Sequence, residues 1–321
     1  MAPTRRGYLS QIGGVGGVLL GSALAGCADG SGAVTPPSPE VRVGSKPFAE
    51  QEILGQLAYE RFRTLEGVQA VDEVGYGNSA ENWAATADGR KHLYWEYTGT
   101  AWRELPPRRE IRLTDPAELY ERAARDAREQ GLRMASPAPF SNEYVLVADR
   151  AWSERTGVAT LGEFADHLLA GNTDLAVAVN EEFYRREDAW RGVTAYYGVG
   201  PDARSAVESG SFIVTSVGLT YELLADGRAT VASGFATDPQ LASDSLVVLA
   251  DDRDYFLPYQ PSPTAHAPTV EATPAVFDAL APVAAGLDES TMRRLNGRVL
   301  LDGETPNAVA RAYLDGLGGN P

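Results

Sequence analysis

A chain of 321 residues is long enough for two lobes around separate cores, which sets it apart from a disordered polymer. Its 44 Asp and Glu against 28 Lys and Arg give a formal net charge of -16, a surface that repels phosphate backbones and excludes nucleic acid as a partner. One cysteine, Cys27, and three histidines far apart in sequence, His92, His167 and His266, offer no basis for a disulfide, a metal site or a metal cofactor.

The acidity has a texture of its own. Lys occurs only at Lys46 and Lys91, and Arg supplies every other cation, so the composition reads as a salt-adapted, halophilic surface.

At the start, Arg5 and Arg6 precede a Gly-rich apolar stretch from Ile12 to Ala25 that is too short and too small-residued to span a membrane. Residues 1–26 therefore read as an export signal similar to the twin-arginine type. Leu24-Ala25-Gly26-Cys27 resembles a lipobox, which would make Cys27 the lipidated first residue of the mature chain. Residues 27–40, rich in Gly, Ser, Pro and Ala, follow as a flexible tether. Losing residues 1–26 removes Arg5 and Arg6 and no acids, leaving the mature chain two charges more negative.

From Val41 onward, short β-rich runs alternate with helical patterns, as in an α/β layered fold. Val41 to Gly44 is the first predicted strand. Ile53, Leu54, Leu57, Ala58, Phe62 and Leu65 then share one helical face, and a strand around Val68 to Val74 completes a βαβ unit. The next helix carries its own punctuation, with Asp115 as N-cap, Pro116 at the first position, Glu118 at the third, and Gly131 after the end at Gln130. Further strands are predicted at Leu132 to Ala135, Tyr144 to Ala148, Leu175 to Val179, Phe212 to Thr215, Thr230 to Phe235 and Ser245 to Leu249. Helices fill the intervals and the segments Pro274 to Ala285 and Pro306 to Leu317.

Motifs for chemistry are scarce. Gly75-Tyr76-Gly77-Asn78-Ser79-Ala80, with Glu96 about 20 residues on, fits a dinucleotide fingerprint and equally fits a tight glycine turn into a helix. No GxSxG, HExxH or SxxK occurs in the mature chain, and Glu181-Glu182 and Asp251-Asp252 read as solvated acidic faces. Tyr97, Tyr144, Phe235 and Tyr259, by contrast, each fall at or next to the end of a strand, where α/β proteins place ligand loops.

Gly44-Ser45-Lys46-Pro47-Phe48-Ala49-Glu50-Gln51 followed by Ile53-Leu54-Gly55 resembles the opening of the osmoprotectant-binding proteins of ABC importers, which bind glycine betaine, choline or carnitine. Glu96-Tyr97-Thr98-Gly99-Thr100-Ala101-Trp102 is similar to that family's most recognisable segment. The likeness continues through Asn142 to Leu146, Phe183 to Asp188, Phe235 to Asp238, and Asp251 to Tyr259, covering nearly all of residues 41–321.

The resemblance implies a two-lobed fold of the type II periplasmic-binding-protein kind, with a ligand cleft between lobes and two hinge crossovers. Lobe I is expected at 41–138 plus 238–321 and lobe II at 139–237. It also implies a monomeric, non-enzymatic lipoprotein without a cofactor, held by its lipid on the outer face of the cytoplasmic membrane and delivering ligand to a membrane permease.

A quaternary ammonium has no N–H to donate, and ring faces attract it by about 2 kcal/mol each once desolvated. The family's aromatic box falls here on Tyr97, Tyr144, Phe235 and Tyr259, with Phe235 in place of the usual tyrosine. Arg186 matches the carboxylate-binding arginine, with its neighbour Arg185 as the alternative. Thr100 supports that role, while Lys46, Gln51 and Asn142 supply polar rim. Ectoine or proline betaine on the same scaffold, or an exported dinucleotide-dependent enzyme using the Gly75 loop, are the competing functions.

Overall fold

The computed structural model describes residues 39–216 and 218–318; the expected export signal, Cys27 and the expected tether up to residue 38 lie outside them. The chain opens with β1 (Glu40–Gly44), α1 (Ala49–Phe62), β2 (Gln69–Glu73), α2 (Ser79–Ala87), β3 (Leu93–Tyr97), α3 (Thr98–Arg103), α4 (Pro116–Glu129) and β4 (Leu132–Met134). It then crosses into β5 (Tyr144–Asp149), α5 (Arg150–Thr156), α6 (Leu161–Leu169), β6 (Val177–Asn180), α7 (Glu181–Arg185), α8 (Trp190–Tyr196), α9 (Pro201–Glu208), β7 (Phe212–Thr215), α10 (Leu219–Ala225), β8 (Val231–Phe235) and β9 (Leu246–Val248). The return path is β10 (Pro261–His266), α11 (Ala267–Ala272), α12 (Ala275–Ala285), α13 (Glu289–Leu300) and α14 (Pro306–Gly318).

Two five-stranded sheets result, in the orders β2-β1-β3-β10-β4 and β7-β6-β8-β5-β9. They repeat one plan. Three parallel strands lie at one side, and the fourth strand runs antiparallel to its neighbours. Each sheet is covered by helices, as buried parallel strands require. In the first lobe Val41, Val43, Ile53, Leu54, Leu57, Ala58 and Phe62 form one fully buried cluster with residues of α12 and α13. The second lobe has its own core around Leu146, Val177, Val179, Phe183 and Trp190. The α/β two-lobed architecture expected from the sequence is what the chain adopts.

Local chemistry explains the boundaries. The Asp115 carboxylate accepts from the Glu118 N–H at 2.7 Å, with Pro116 at the first position of α4, and Gly131 after its end has φ +78°. At β10 the sequence misleads, because Pro261 and Pro263 argue against a central strand. Both prolines turn their backbone edge to the β4 side, where Ala138 and Ala135 donate to their carbonyls at 2.9 Å. Ser262 between them faces β3, so no ladder bond requires an N–H that proline lacks.

The first crossover falls between β4 and β5. The second needs correction: β9 pairs with β5 in the second sheet, and Ala250 bridges to Thr160, so the return to lobe I lies between β9 and β10 and not at residue 238. The two crossovers run side by side. Asn142 N–H donates to the Tyr259 carbonyl at 3.0 Å, and Tyr259 N–H donates to the Ser141 hydroxyl at 2.8 Å.

Candidate functional site

Tyr144 opens β5 and Phe235 closes β8, and the antiparallel register sets them opposite one another. Cross-strand partners on one face come close enough for their rings to meet. Their centroids are 4.7 Å apart, and Phe183 of α7 packs on Tyr144 from another side at 5.0 Å. Arg186, just past α7, brings its guanidinium carbon within 6.0 Å of the Tyr144 ring centroid. Tyr259 sits on the second crossover with its ring against Gly99, where a Cβ would come within 2.9 Å of ring carbons. Burial pushes the Tyr259 hydroxyl up to about 12, and Arg186 is the largest opposing influence on it. Tyr144, Phe235, Tyr259 and Arg186 thus form one neighbourhood where the lobes meet.

Tyr97 stands differently. Its ring end is buried, and its hydroxyl donates to Glu50 Oε1 at 2.6 Å. Burial, with the Glu50 charge second, holds the phenol well above its ordinary range. The Lys46 ammonium lies 4.4 Å from the Tyr97 ring centroid while bound to Glu96 at 2.6 Å and Ser79 at 3.0 Å. Lys46 is therefore committed to a buried ion pair and is not the polar rim expected of it. Gln51 is fully buried, and both polar atoms of its amide are without a partner among the described residues. Asn142 Nδ2 donates to Glu50 Oε1 at 2.9 Å, and its Oδ1 is buried and without a partner among the described residues.

The sequence reading missed the residue that gathers these groups. Glu50 accepts from Tyr97, from Asn142 and, at 3.0 Å through Oε2, from Asn296 of α13, which also donates to the Thr237 carbonyl at 3.0 Å. Burial raises the Glu50 pKa. An acid in the first turn of a helix ordinarily reads as a solvated partner of the helix dipole, which is why its position hid it.

Of the two arginines, Arg185 is exposed and pairs with Glu181, whereas Arg186 is the one beside Tyr144. Its fork is engaged by Asp188, with Nε to Oδ1 at 2.9 Å and Nη2 to Oδ2 at 2.8 Å. Glu182 and Glu104 each stand 3.4 Å from it, the latter reaching across from the C-cap of α3 in the other lobe. Thr100 lies one turn before Glu104, on the same helix face. Burial lowers the Arg186 pKa, but Asp188, together with Tyr259 and Tyr144, more than offsets it and the group is held above its ordinary value.

Two other readings of the sequence resolve here. Asp252 is exposed, as a solvated acid would be, and Asp251 is half-buried, yet both also bond to the chain: Asp251 accepts from the Tyr197 hydroxyl at 2.5 Å and Phe256 N–H at 2.7 Å, and Asp252 from Gly162 N–H at 2.9 Å, fastening the loop before Tyr259. The Gly75 loop is closed on itself. Asn78 caps α2, and the Glu81 carboxylate takes the Asn78 N–H at 2.8 Å, placing negative charge where a pyrophosphate would need donors.

Residues 39–316 match the family described as the substrate binding domain of ABC-type glycine betaine transport system. The chain belongs to that family. It is 31% identical over 274 residues to the chemotactic signal transduction system substrate-binding protein CosB of Halobacterium salinarum, covering 83% of this chain and 81% of that one. The glycine-betaine-binding protein of Pseudomonas aeruginosa is 27% identical, with 92% of this chain and 94% of that one aligned. The solved structure of apo YehZ from Escherichia coli superposes with a TM-score of 0.69 at 26% identity, over 88% of this chain and 99% of that chain. The fold is the type II two-lobed architecture of these binding proteins, and the relatives are binding proteins rather than enzymes.

Proposed function

We propose that this chain captures quaternary ammonium solutes, of the glycine betaine, choline and carnitine kind, and hands them to the permease of an ABC importer. The observation that carries this reading is the cluster of Tyr144, Phe235 and Tyr259 with Arg186 where the two lobes meet. Tyr97 supplies a fourth ring whose hydroxyl is tied to Glu50, and Thr100, Gln51 and Asn142 supply polar groups around the rings. Closure of one lobe on the other desolvates ligand and rings together, which is the condition under which ring faces hold a trimethylammonium best. The chain makes and breaks no bond. Residues 1–26 act as export signal and Cys27 as lipid anchor, holding a monomer at the outer face of the cytoplasmic membrane, and the Arg-based acidity adapts it to salt.

Calorimetric titration in high salt with choline, glycine betaine, carnitine, ectoine and proline tests the reading. Tyr259→Ala and Tyr144→Ala should each weaken quaternary-amine binding more than tenfold, since a lost ring removes about 2 kcal/mol and tenfold is about 1.4 kcal/mol. Unchanged affinity in both variants removes these rings from the site. Tighter binding of ectoine than of any quaternary amine moves the ligand class.

The likeness to CosB supports a second reading, in which the loaded form reports to a signal-transduction partner. Uptake of labelled choline by cells lacking this chain separates the two: lost uptake marks an importer, intact uptake with lost movement toward the ligand marks a signalling component.

A further inference from the structure

The proposed function places a ligand's ammonium among the rings and leaves its other end to Arg186. That guanidinium is already taken. Its Nε and Nη2 edge, the fork that suits a carboxylate, is filled by both oxygens of Asp188 at 2.9 and 2.8 Å. Nη1 has Glu182 at 3.4 Å, and Nη2 also has Glu104 at 3.4 Å. Three carboxylates therefore face one guanidinium, with Arg103 the other cation acting on Asp188 and on Tyr259. Asp188 is fixed as well by its backbone, whose carbonyl accepts from the Tyr255 hydroxyl at 3.1 Å.

We infer that Asp188 is a specificity-determining residue, and that by occupying the Arg186 fork it turns the site toward quaternary ammonium alcohols and other cations without a carboxylate. A betaine or carnitine carboxylate would have to displace Asp188 from a bidentate pair and enter a ring of acids, repelled by Glu104 and Glu182 as it came. A hydroxyl meets the opposite situation. It can donate to any of these carboxylates without disturbing the ion pair, and the cationic head is attracted by the surplus negative charge. Asp188 remains ionised near neutral pH, because its pairing with Arg186 outweighs the burial that would raise its pKa.

This inference rests on the quaternary-ammonium reading, and the experiment separates the two. The full chain is titrated with choline, glycine betaine and glycine betaine methyl ester, which keeps the betaine skeleton but has no carboxylate. The parent is expected to bind choline and the ester at least tenfold more tightly than betaine. Asp188→Asn should tighten betaine by about tenfold while weakening choline and the ester, which lose part of the negative charge that attracts them. Betaine binding the parent as tightly as its ester overturns the inference without help from any variant, so a misfolded Asp188→Asn protein cannot rescue it. Equal shifts for all three ligands in Asp188→Asn overturn it too. Absence of binding by all three overturns the functional reading itself, a result distinct from either.

Discussion

Asp238 fixes the last ring of β8 in place. Its Oδ2 accepts from the Phe235 N–H and from the Tyr221 hydroxyl, each at 2.8 Å, so the turn that ends the strand is tied down beside the ring it presents. Burial raises the Asp238 pKa to about 6 from 3.8, and these two bonds offset only part of that cost. A carboxyl with a raised pKa binds its proton more tightly in the folded chain. Its contribution to stability is therefore full below pH 3.8 and is lost as pH rises through about 6. In Asp238→Asn that loss disappears, so relative to the parent the variant should gain on the order of 2 to 3 kcal/mol between pH 3.5 and pH 7.5. Urea unfolding of both proteins at the two pH values measures it, and comparing variant with parent cancels oppositely shifted groups such as Asp188. An identical pH difference in the two proteins would show that folding leaves the Asp238 pKa at its ordinary value. Nothing in the sequence pointed to Asp238, Asp188 or Glu50 as partners of ring or arginine. Acids beside aromatics look like solvated loop residues until the strands are paired, and their contacts come from segments up to 246 residues away.

At the level of elements, the ring positions were legible because strand ends are. Tyr97, Tyr144 and Phe235 terminate or open strands whose periodicity and turn residues are local, and the fold places ligand loops at such ends. Tyr259 was also read beside a strand end, but the strand that follows it, β10, begins with a proline and holds another two residues on, so its extent was not legible and the ring drew its role from the likeness to a family. The β3–α3 junction carries a further constraint. Gly99 has ordinary backbone angles, so its need is for space: a Cβ there would stand 2.8 Å from the Pro258 carbonyl oxygen and 2.9 Å from the Tyr259 ring. Backbone oxygen cannot yield as a side-chain tip can, so the second crossover would be pushed away from α3. Gly99→Ala is accordingly expected to cost more in ligand affinity than in folding, with quaternary-amine binding weakened tenfold or more and a melting temperature within a few degrees of the parent. Overpacking ordinarily costs about 1 to 3 kcal/mol, which sets the scale of the affinity change if the displacement is absorbed by Tyr259. A variant that melts far lower while binding normally would mean that the crossover yields elsewhere and that Gly99 serves packing alone.

Across the whole molecule the charge pattern has a structural counterpart. Both lysines are buried and ion-paired, Lys46 with Glu96 and Lys91 with Glu73, so every solvent-facing side-chain cation among the described residues, histidine aside, is an arginine. Many of those arginines sit one helical turn from an acid, as in Arg122–Glu118, Arg185–Glu181, Arg191–Glu187 and Arg293–Glu289. Exposed pairs of this kind contribute about 0.3 to 0.5 kcal/mol each and weaken as salt rises. The net charge of -16 acts in the other direction, because repulsion among unpaired acids is relieved when the Debye length shrinks from about 10 Å at 0.1 M to about 3 Å at 1 M. If repulsion outweighs the pairs, melting temperature climbs between 0.1 and 3 M sodium chloride. We expect that climb, and at low salt we expect choline at a hundredfold excess over its dissociation constant to restore about 2.7 kcal/mol by binding only the folded form. Circular dichroism melting across that salt series, with and without choline and with proline as a control, gives the answer. A melting temperature that falls with salt would show that the arginine–acid pairs govern stability and that the surface is not built for salt. Rescue by proline equal to that by choline would replace specific binding with general solute exclusion from the protein surface.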